Sequence, residues 1–146
     1  MSQKILAPID LSQDSAIALT MPYAVEMAET RGATLELLTV LPDFKAEMYP
    51  YMEVDSTEAS VKSVEQDLQK VGQNHVPSNV TWNMAVEVGR MPRTLVAHIN
   101  DTRPDMVVMA AHEPGLADYF LGSVSDYVVR HAHCPVLVVR DPNNAG

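Results

Sequence analysis

Cysteine occurs once, at Cys134, so the chain cannot form a disulfide within itself. That scarcity fits a reducing compartment. Cys134 precedes the apolar run Pro135–Val139 and reads as a buried structural thiol, since no neighbour would lower its pKa. Long hydrophobic runs are missing too. The apolar residues come in bursts far short of the roughly 20 that a membrane span needs, so no membrane insertion is expected. Met1-Ser2-Gln3-Lys4 leads straight into an apolar burst, without the basic start and apolar h-region of a secretory leader. A cytoplasmic location is expected. Basic residues are also few: ten Lys and Arg stand against nineteen Asp and Glu, a formal charge of −9. With no basic stripe, extended contact with nucleic acid is not expected. A small anion stays acceptable where backbone N–H groups supply the positive potential.

The content that remains is that of a globular protein, 47% hydrophobic and 20% charged. Its 146 residues read as a single domain over 1–146, with no internal repeat or linker. Five β-branched bursts stand out: Lys4–Ile9, Thr34–Leu41, Val80–Val88, Asp105–Ala111 and Val136–Val139. The first, fourth and fifth are nearly unbroken, as in strands covered on both faces. The third alternates, which places it nearer a sheet edge. Helical spacing fills the gaps, over Ser12–Arg31, about 57–73, 91–100 and Ser123–His131. In the first helix Ala16, Leu19, Tyr23 and Met27 form the expected inner face, with Ser12 as N-cap and Gly32 just past the end. Pro42–Ser56 and the tail 141–146 read as loose and flexible. Alternation of strand and helix predicts an α/β fold, an open parallel five-stranded sheet with helices on both faces.

In such a sheet ligands bind beyond the carboxyl ends of the strands, where the strand order reverses. Order 3-2-1-4-5 puts that crevice between the first and fourth strands. Those strands end in Pro8-Ile9-Asp10 and Ala110-Ala111-His112, where polar residues break the apolar pattern. A short loop later, Leu121-Gly122-Ser123-Val124-Ser125 opens the last helix. Glycine permits close backbone approach, and the free N–H groups of a first turn favour an anion. The two signals converge on a phosphate-bearing ligand.

Taken together these segments resemble the universal stress protein family, over essentially the whole chain. The resemblance is carried by Ile5-Leu6-Ala7-Pro8-Ile9-Asp10 with Ser12, by Leu37-Leu38-Thr39-Val40 and by Val88-Gly89. Most specific are Asp105–Ala110 running on to Leu121–Ser125, and Val129–Arg140. The resemblance implies a three-layer, adenine nucleotide alpha hydrolase-like fold and a cytoplasmic stress-response protein that binds ATP, with or without Mg²⁺. It implies that Pro8 and Asp10 flank the adenine or ribose and that the Val40 backbone reads the adenine edge. Ala110 and His112 would line the ribose and phosphates, with Gly122, Ser123, Val124 and Ser125 around the phosphates. Where ATP-binding members carry two early glycines, this chain has Ala110 and Glu113, and eight residues then separate Glu113 from Gly122. That version resembles the F and G paralogues of enteric bacteria. Family resemblance also implies a homodimer or tetramer through the edge strand Pro135–Arg140.

No catalytic residue is assigned. The chain has no dedicated lysine at the Gly-Ser helix start, no P-loop and no serine nucleophile elbow. Action through ligand-dependent assembly or contact with an unidentified protein partner is the expected mode; a slow ATPase or phosphotransferase and a nucleotide-free dimerisation module are the alternatives. No metal site is assigned, because His131 and His133 lack a third ligand at a usual spacing. His75 and His98 are expected on the surface, and the nine methionines read as core filling.

Overall fold

In a computed structural model the chain forms one five-stranded parallel sheet in the order β3-β2-β1-β4-β5. The structure describes residues 3–43, 56–111 and 122–141. The strands are β1 (Lys4–Pro8), β2 (Thr34–Leu41), β3 (Trp82–Val88), β4 (Met106–Ala110) and β5 (Val136–Val139). Between them lie α1 (Asp14–Arg31), α2 (Ser56–His75), α3 (Arg93–Thr102) and α4 (Ser123–His131). The expected α/β architecture and strand order are both present, and the alternating third strand does lie at an edge.

Each strand contributes to two cores, because successive side chains leave opposite faces of a sheet. Ile5, Ala7, Leu35, Leu37 and Val108 pack with α1 and with Leu68 of α2. Leu6, Leu38, Val107 and Met109 pack with Leu95, Val96 and Ile99 of α3 and Val128 of α4. The fully buried strand residues explain the unbroken apolar bursts.

Helix α1 turns a different face inward from the one its spacing indicated. Ile17, Met21, Ala24, Val25 and Ala28 are buried, whereas Tyr23 is 43% exposed. Apolar and small residues surround this helix almost evenly, so periodicity cannot single out a face and contact with the sheet decides it. Its ends are set by backbone chemistry. Gly32 takes the left-handed conformation at φ 60°, Gly32 N–H donates to the Glu29 carbonyl at 3.3 Å, and Ala33 N–H donates to the Ala28 carbonyl at 2.9 Å. Ser12 does not cap the helix. Its N–H and hydroxyl both donate to Asp10 Oδ1, at 3.0 and 2.6 Å, which fastens the turn that follows β1.

His98 is not on the surface, contrary to expectation. It lies on the inner face of α3, 9% exposed, and bridges two carboxylates. Its ring nitrogens sit 2.7 Å from Glu36 of β2 and 3.0 Å from Glu87 of β3. His75 is exposed, in keeping with the surface position expected of it, and His131 and His133 are exposed as well.

Gly72, buried within α2, lies against the indole of Trp82, and a Cβ placed there would overlap the ring. Gly72→Ala sets two effects against each other. Relief of glycine's backbone entropy gives about 1 kcal/mol in a helix interior, while overpacking costs about 1–3 kcal/mol. Packing should win. Chemical denaturation is expected to show a net loss near 1 kcal/mol, with altered emission from Trp82, the single tryptophan. An unchanged or higher midpoint would show that the ring swings aside freely.

Candidate functional site

The site begins with the direction of main-chain groups. Lys4 C=O accepts the Asp105 N–H at 2.8 Å, so even-numbered residues of β1 turn their backbone groups toward β4. The β1–β4 register covers only Ile5↔Met106 and Leu6↔Val107, although β1 runs to Pro8 and β4 to Ala110. The next donor on that edge would be residue 8, and proline has no N–H. The two strands part there.

The same parity governs β2. Ile9 N–H donates to Leu38 C=O at 2.7 Å, while Leu41 C=O accepts from Gly89 N–H on the β3 side at 2.9 Å. Even residues of β2 therefore face β1 and odd residues face β3. Val40 lies two positions past Leu38, beyond the point where β1 leaves the sheet. Its N–H and C=O point into the space that β1 has vacated. Thr39 braces that turn by donating its hydroxyl to the Ile9 carbonyl at 3.0 Å.

A cavity of about 360 Å³ occupies this parting. Of the expected site residues, Pro8, Asp10, Val40, Ala110 and Val124 line it. Residues missed by sequence reasoning complete the walls: Ala16, Ile17 and Thr20 of α1 on one side, Met91 and Leu95 on the other. Thr20 keeps a buried hydroxyl without a hydrogen-bond partner. Leu38 and Met109 belong both to the lining and to the α3–α4 core, so the cavity rests directly on packed residues. Leu95 was legible as an inner residue of a short amphipathic helix; its approach to the crevice depends on how that helix docks.

Gly122, Ser123 and Ser125 stand beside this cavity, at the start of α4, and are not in its lining. Gly122 N–H donates to the Ala111 carbonyl at 3.2 Å, which returns the chain to the end of β4 after residues 112–121. No side chain caps α4 at Gly122. Ser125 was expected to meet phosphates, yet its buried hydroxyl donates to the Gly122 carbonyl at 3.1 Å. What it has left is acceptor capacity, which does not suit an anion. His112 and Glu113 lie outside the described residues.

Cys134 is half-buried, and burial pushes its thiol up, in keeping with a structural role. Among the described residues, no group of three His, Cys, Asp or Glu side chains is placed to hold a metal ion, and no helix is long and apolar enough to cross a membrane.

A model of the Universal stress protein family matches residues 1–140. The chain belongs to that family. Universal stress protein Sll1388 of a Synechocystis strain is 28% identical, with 94% of this chain and 97% of that protein covered. Universal stress protein G of Salmonella typhimurium is 27% identical over 96% of this chain and 100% of its own. Among solved structures, that of the hypothetical protein MJ0577 has a TM-score of 0.73 at 21% identity and covers 99% of both chains. Three further structures with the same fold hold nucleotides. One universal stress protein is in complex with cAMP (TM-score 0.60), one from Arabidopsis thaliana has AMP bound (0.58), and one from Archaeoglobus fulgidus is in complex with dAMP (0.60).

Pro8→Ala tests the origin of the parting. The substitution adds one N–H aimed at β4, worth about 1 kcal/mol, and loses a similar amount through a freer unfolded chain. Global stability should hardly change. Hydrogen exchange should change, with the new amide at position 8 strongly protected as the ladder extends by one bond. Rapid exchange of that amide would mean that something other than the missing donor keeps the strands apart.

Proposed function

We propose that this universal stress protein binds an adenine nucleotide, ATP in the first instance, in the cavity between β1 and β4. Binding would act through assembly or partner contact in the cytoplasm. The observation that carries this reading is the unpaired Val40 backbone at the cavity wall. One N–H and one C=O on that edge complement the N1 acceptor and the N6 amino donor of adenine. Guanine offers the opposite order, an N1 donor and an O6 acceptor, and would mispair on both. The mainly apolar lining suits the faces of a base, and Asp10 can accept from ribose hydroxyls. Phosphates would then lie toward Gly122 and Ser123, where first-turn N–H groups supply positive potential to an otherwise acidic chain. Solved structures of the same fold hold adenine nucleotides, which supports the ligand class. No lysine or arginine occurs in the described lining, which favours binding over phosphoryl transfer. A cavity with an unpaired backbone edge is not required of a nucleotide-free dimerisation module.

Calorimetry should show ATP preferred over GTP by about tenfold or more, since each mispaired buried group costs about 1–3 kcal/mol. Gly122→Val should weaken ATP far more than adenosine, because only ATP needs the approach to α4. Equal affinity for the two bases would refute the Val40 reading, and equal losses for ATP and adenosine would move the phosphates elsewhere.

Assembly is proposed through β5. Pro135 and Val139 carbonyls accept from β4, so Val136 and Val138 turn their N–H groups to the open edge. Two copies can pair antiparallel there about a two-fold axis, as a dimer or within a tetramer. Val138→Pro removes an outward donor without touching the β4 ladder. Light scattering should give at least a dimer for the native chain and a shift toward monomer for the variant. A native monomer at micromolar concentration would refute the interface.

A further inference from the structure

Beneath the cavity lies a partly buried ionic cluster that the nucleotide reading does not use. His98 Nε2 is 2.7 Å from Glu36 Oε1, and His98 Nδ1 is 3.0 Å from Glu87 Oε1. Lys4 Nζ stands 3.8 Å from the other Glu36 oxygen. The elements are β1 for Lys4, β2 for Glu36, β3 for Glu87 and α3 for His98, so three strands and one helix are tied together.

Ionised carboxylates only accept hydrogen bonds, and a neutral imidazole has one N–H. Both contacts are made at once only when His98 carries both protons. The cluster then balances, two cations against two anions. If His98 loses a proton, one carboxylate is left facing a bare ring nitrogen. Glu36 has a side chain 10% exposed and Glu87 one 45% exposed. Water can replace the lost partner at Glu87 but not at Glu36, so the bond to β3 is the one that breaks.

The position of this cluster matters more than its strength. Glu36, Leu38 and Val40 leave the same face of β2 in succession, two residues apart, about 7 Å per step. Leu95 lies one turn before His98 on the same face of α3. Leu38, Val40 and Leu95 all line the cavity. The cluster therefore seats the helix that forms one cavity wall against the strand that forms its floor.

We propose that His98 is a positioning residue: bridging Glu36 and Glu87 as an imidazolium, it seats α3 and Leu95 against the sheet, so that ligand occupancy of the cavity depends on pH. This rests on the nucleotide reading of the cavity. The direction is fixed by the surroundings. Hydrogen bonding to Glu36, opposed by burial and aided by Glu87, raises His98 above its ordinary value of 6.5. Hydrogen bonding to His98, opposed by burial and aided by Lys4, holds Glu36 below its ordinary 4.5. A raised histidine stabilises fully below its unfolded value and loses that contribution as pH climbs through its folded value. A lowered carboxylate does so fully above its unfolded value and loses it as pH falls through its folded one. The clamp is therefore complete between these ordinary values and loosens as pH rises through the raised His98 value, above 6.5. The other charged groups near α3 lie apart from the ring. Arg93 and Asp101 are exposed on its outer side, the His131 ring packs on Tyr127 of α4, and His133 meets Asn100.

The test uses adenosine, whose own titrations lie outside a scan from about pH 5 to about 9. Native protein should lose roughly fivefold in adenosine affinity across the titration of His98 followed by imidazole NMR. Glu87→Gln keeps an acceptor but removes a charge, so both midpoints should move to lower pH together. His98→Gln should still bind, with a flat profile. An unshifted profile in Glu87→Gln, or a His98 titration with no change in affinity, would overturn the proposal. Failure to bind adenosine at every pH would refute the nucleotide reading instead. Protection factors of the α3 amides then judge the clamp: a fall as His98 deprotonates supports it, and constant values overturn it.

Discussion

Between β1 and β4 the backbone ladder stops two pairs in, at the place where a donor is due and residue 8 is proline. Everything distinctive about the site follows from that stop. The strands diverge, Ile9 turns back to bond Leu38, and Val40 is left with main-chain groups facing open space. Because the sheet order reverses at β1 and β4, helices cover the two sides from opposite directions, α1 on one and α3 with α4 on the other. A gap at that seam is walled by both layers and filled by neither. Asp10 then holds Ser12 and closes the turn, so the edge of the gap is stiffened by the residue that also faces into it.

An acidic chain that receives an anion must find its positive potential in the backbone. The described cavity lining holds Asp10 and no cation. The acid in the first turn of α4, Asp126, is engaged by Arg130 at 3.1 Å, but that pair is exposed and contributes little. In the proposed reading, amide dipoles at the helix start would then be the main attraction for phosphate, worth a few tenths to about 2 kcal/mol. Contacts to the base and sugar have to supply the larger share. This is why the proposed discrimination is placed at Val40 and not at the phosphates.

Much of this was legible in the residue order. Five bursts with intervening helices indicated the sheet, the alternation of β3 its edge position, and the polar ends of β1 and β4 the crevice. Three things were hidden. The inner face of α1 was hidden because small and apolar residues surround it, so that Tyr23 points out and Ile17 in. The role of Ser125 was hidden because a hydroxyl in a first turn can serve a ligand or its own turn, and geometry alone separates the two. His98 was hidden because its partners are 62 and 11 residues away. A signal did exist: Glu36 interrupts the apolar strand Thr34–Leu41, and His98 sits three residues after Leu95 on an apolar helix face. A carboxylate inside a buried strand requires a partner, and a histidine at the inner spacing of a neighbouring helix is a ready one.

The relation between the cavity and the proposed assembly edge is also set by the sheet. Ala110 lines the cavity and pairs with Val139, and β5 has nothing described on its outer side. Two strand spacings, about 10 Å, separate the parting from that edge. A ligand can shift an assembly equilibrium only if it meets the two states with different free energy. A single rigid strand between the two sites would transmit no such difference. Helix α4 links the two: Val124 touches the cavity, while Val128, Tyr127 and the following Ala132 pack in the same core as Val136 of β5. In the proposed reading, a nucleotide that draws the first turn of α4 toward its phosphates would change the support under β5. Coupling of this kind would run through the helix that begins beside the cavity and packs near the edge strand.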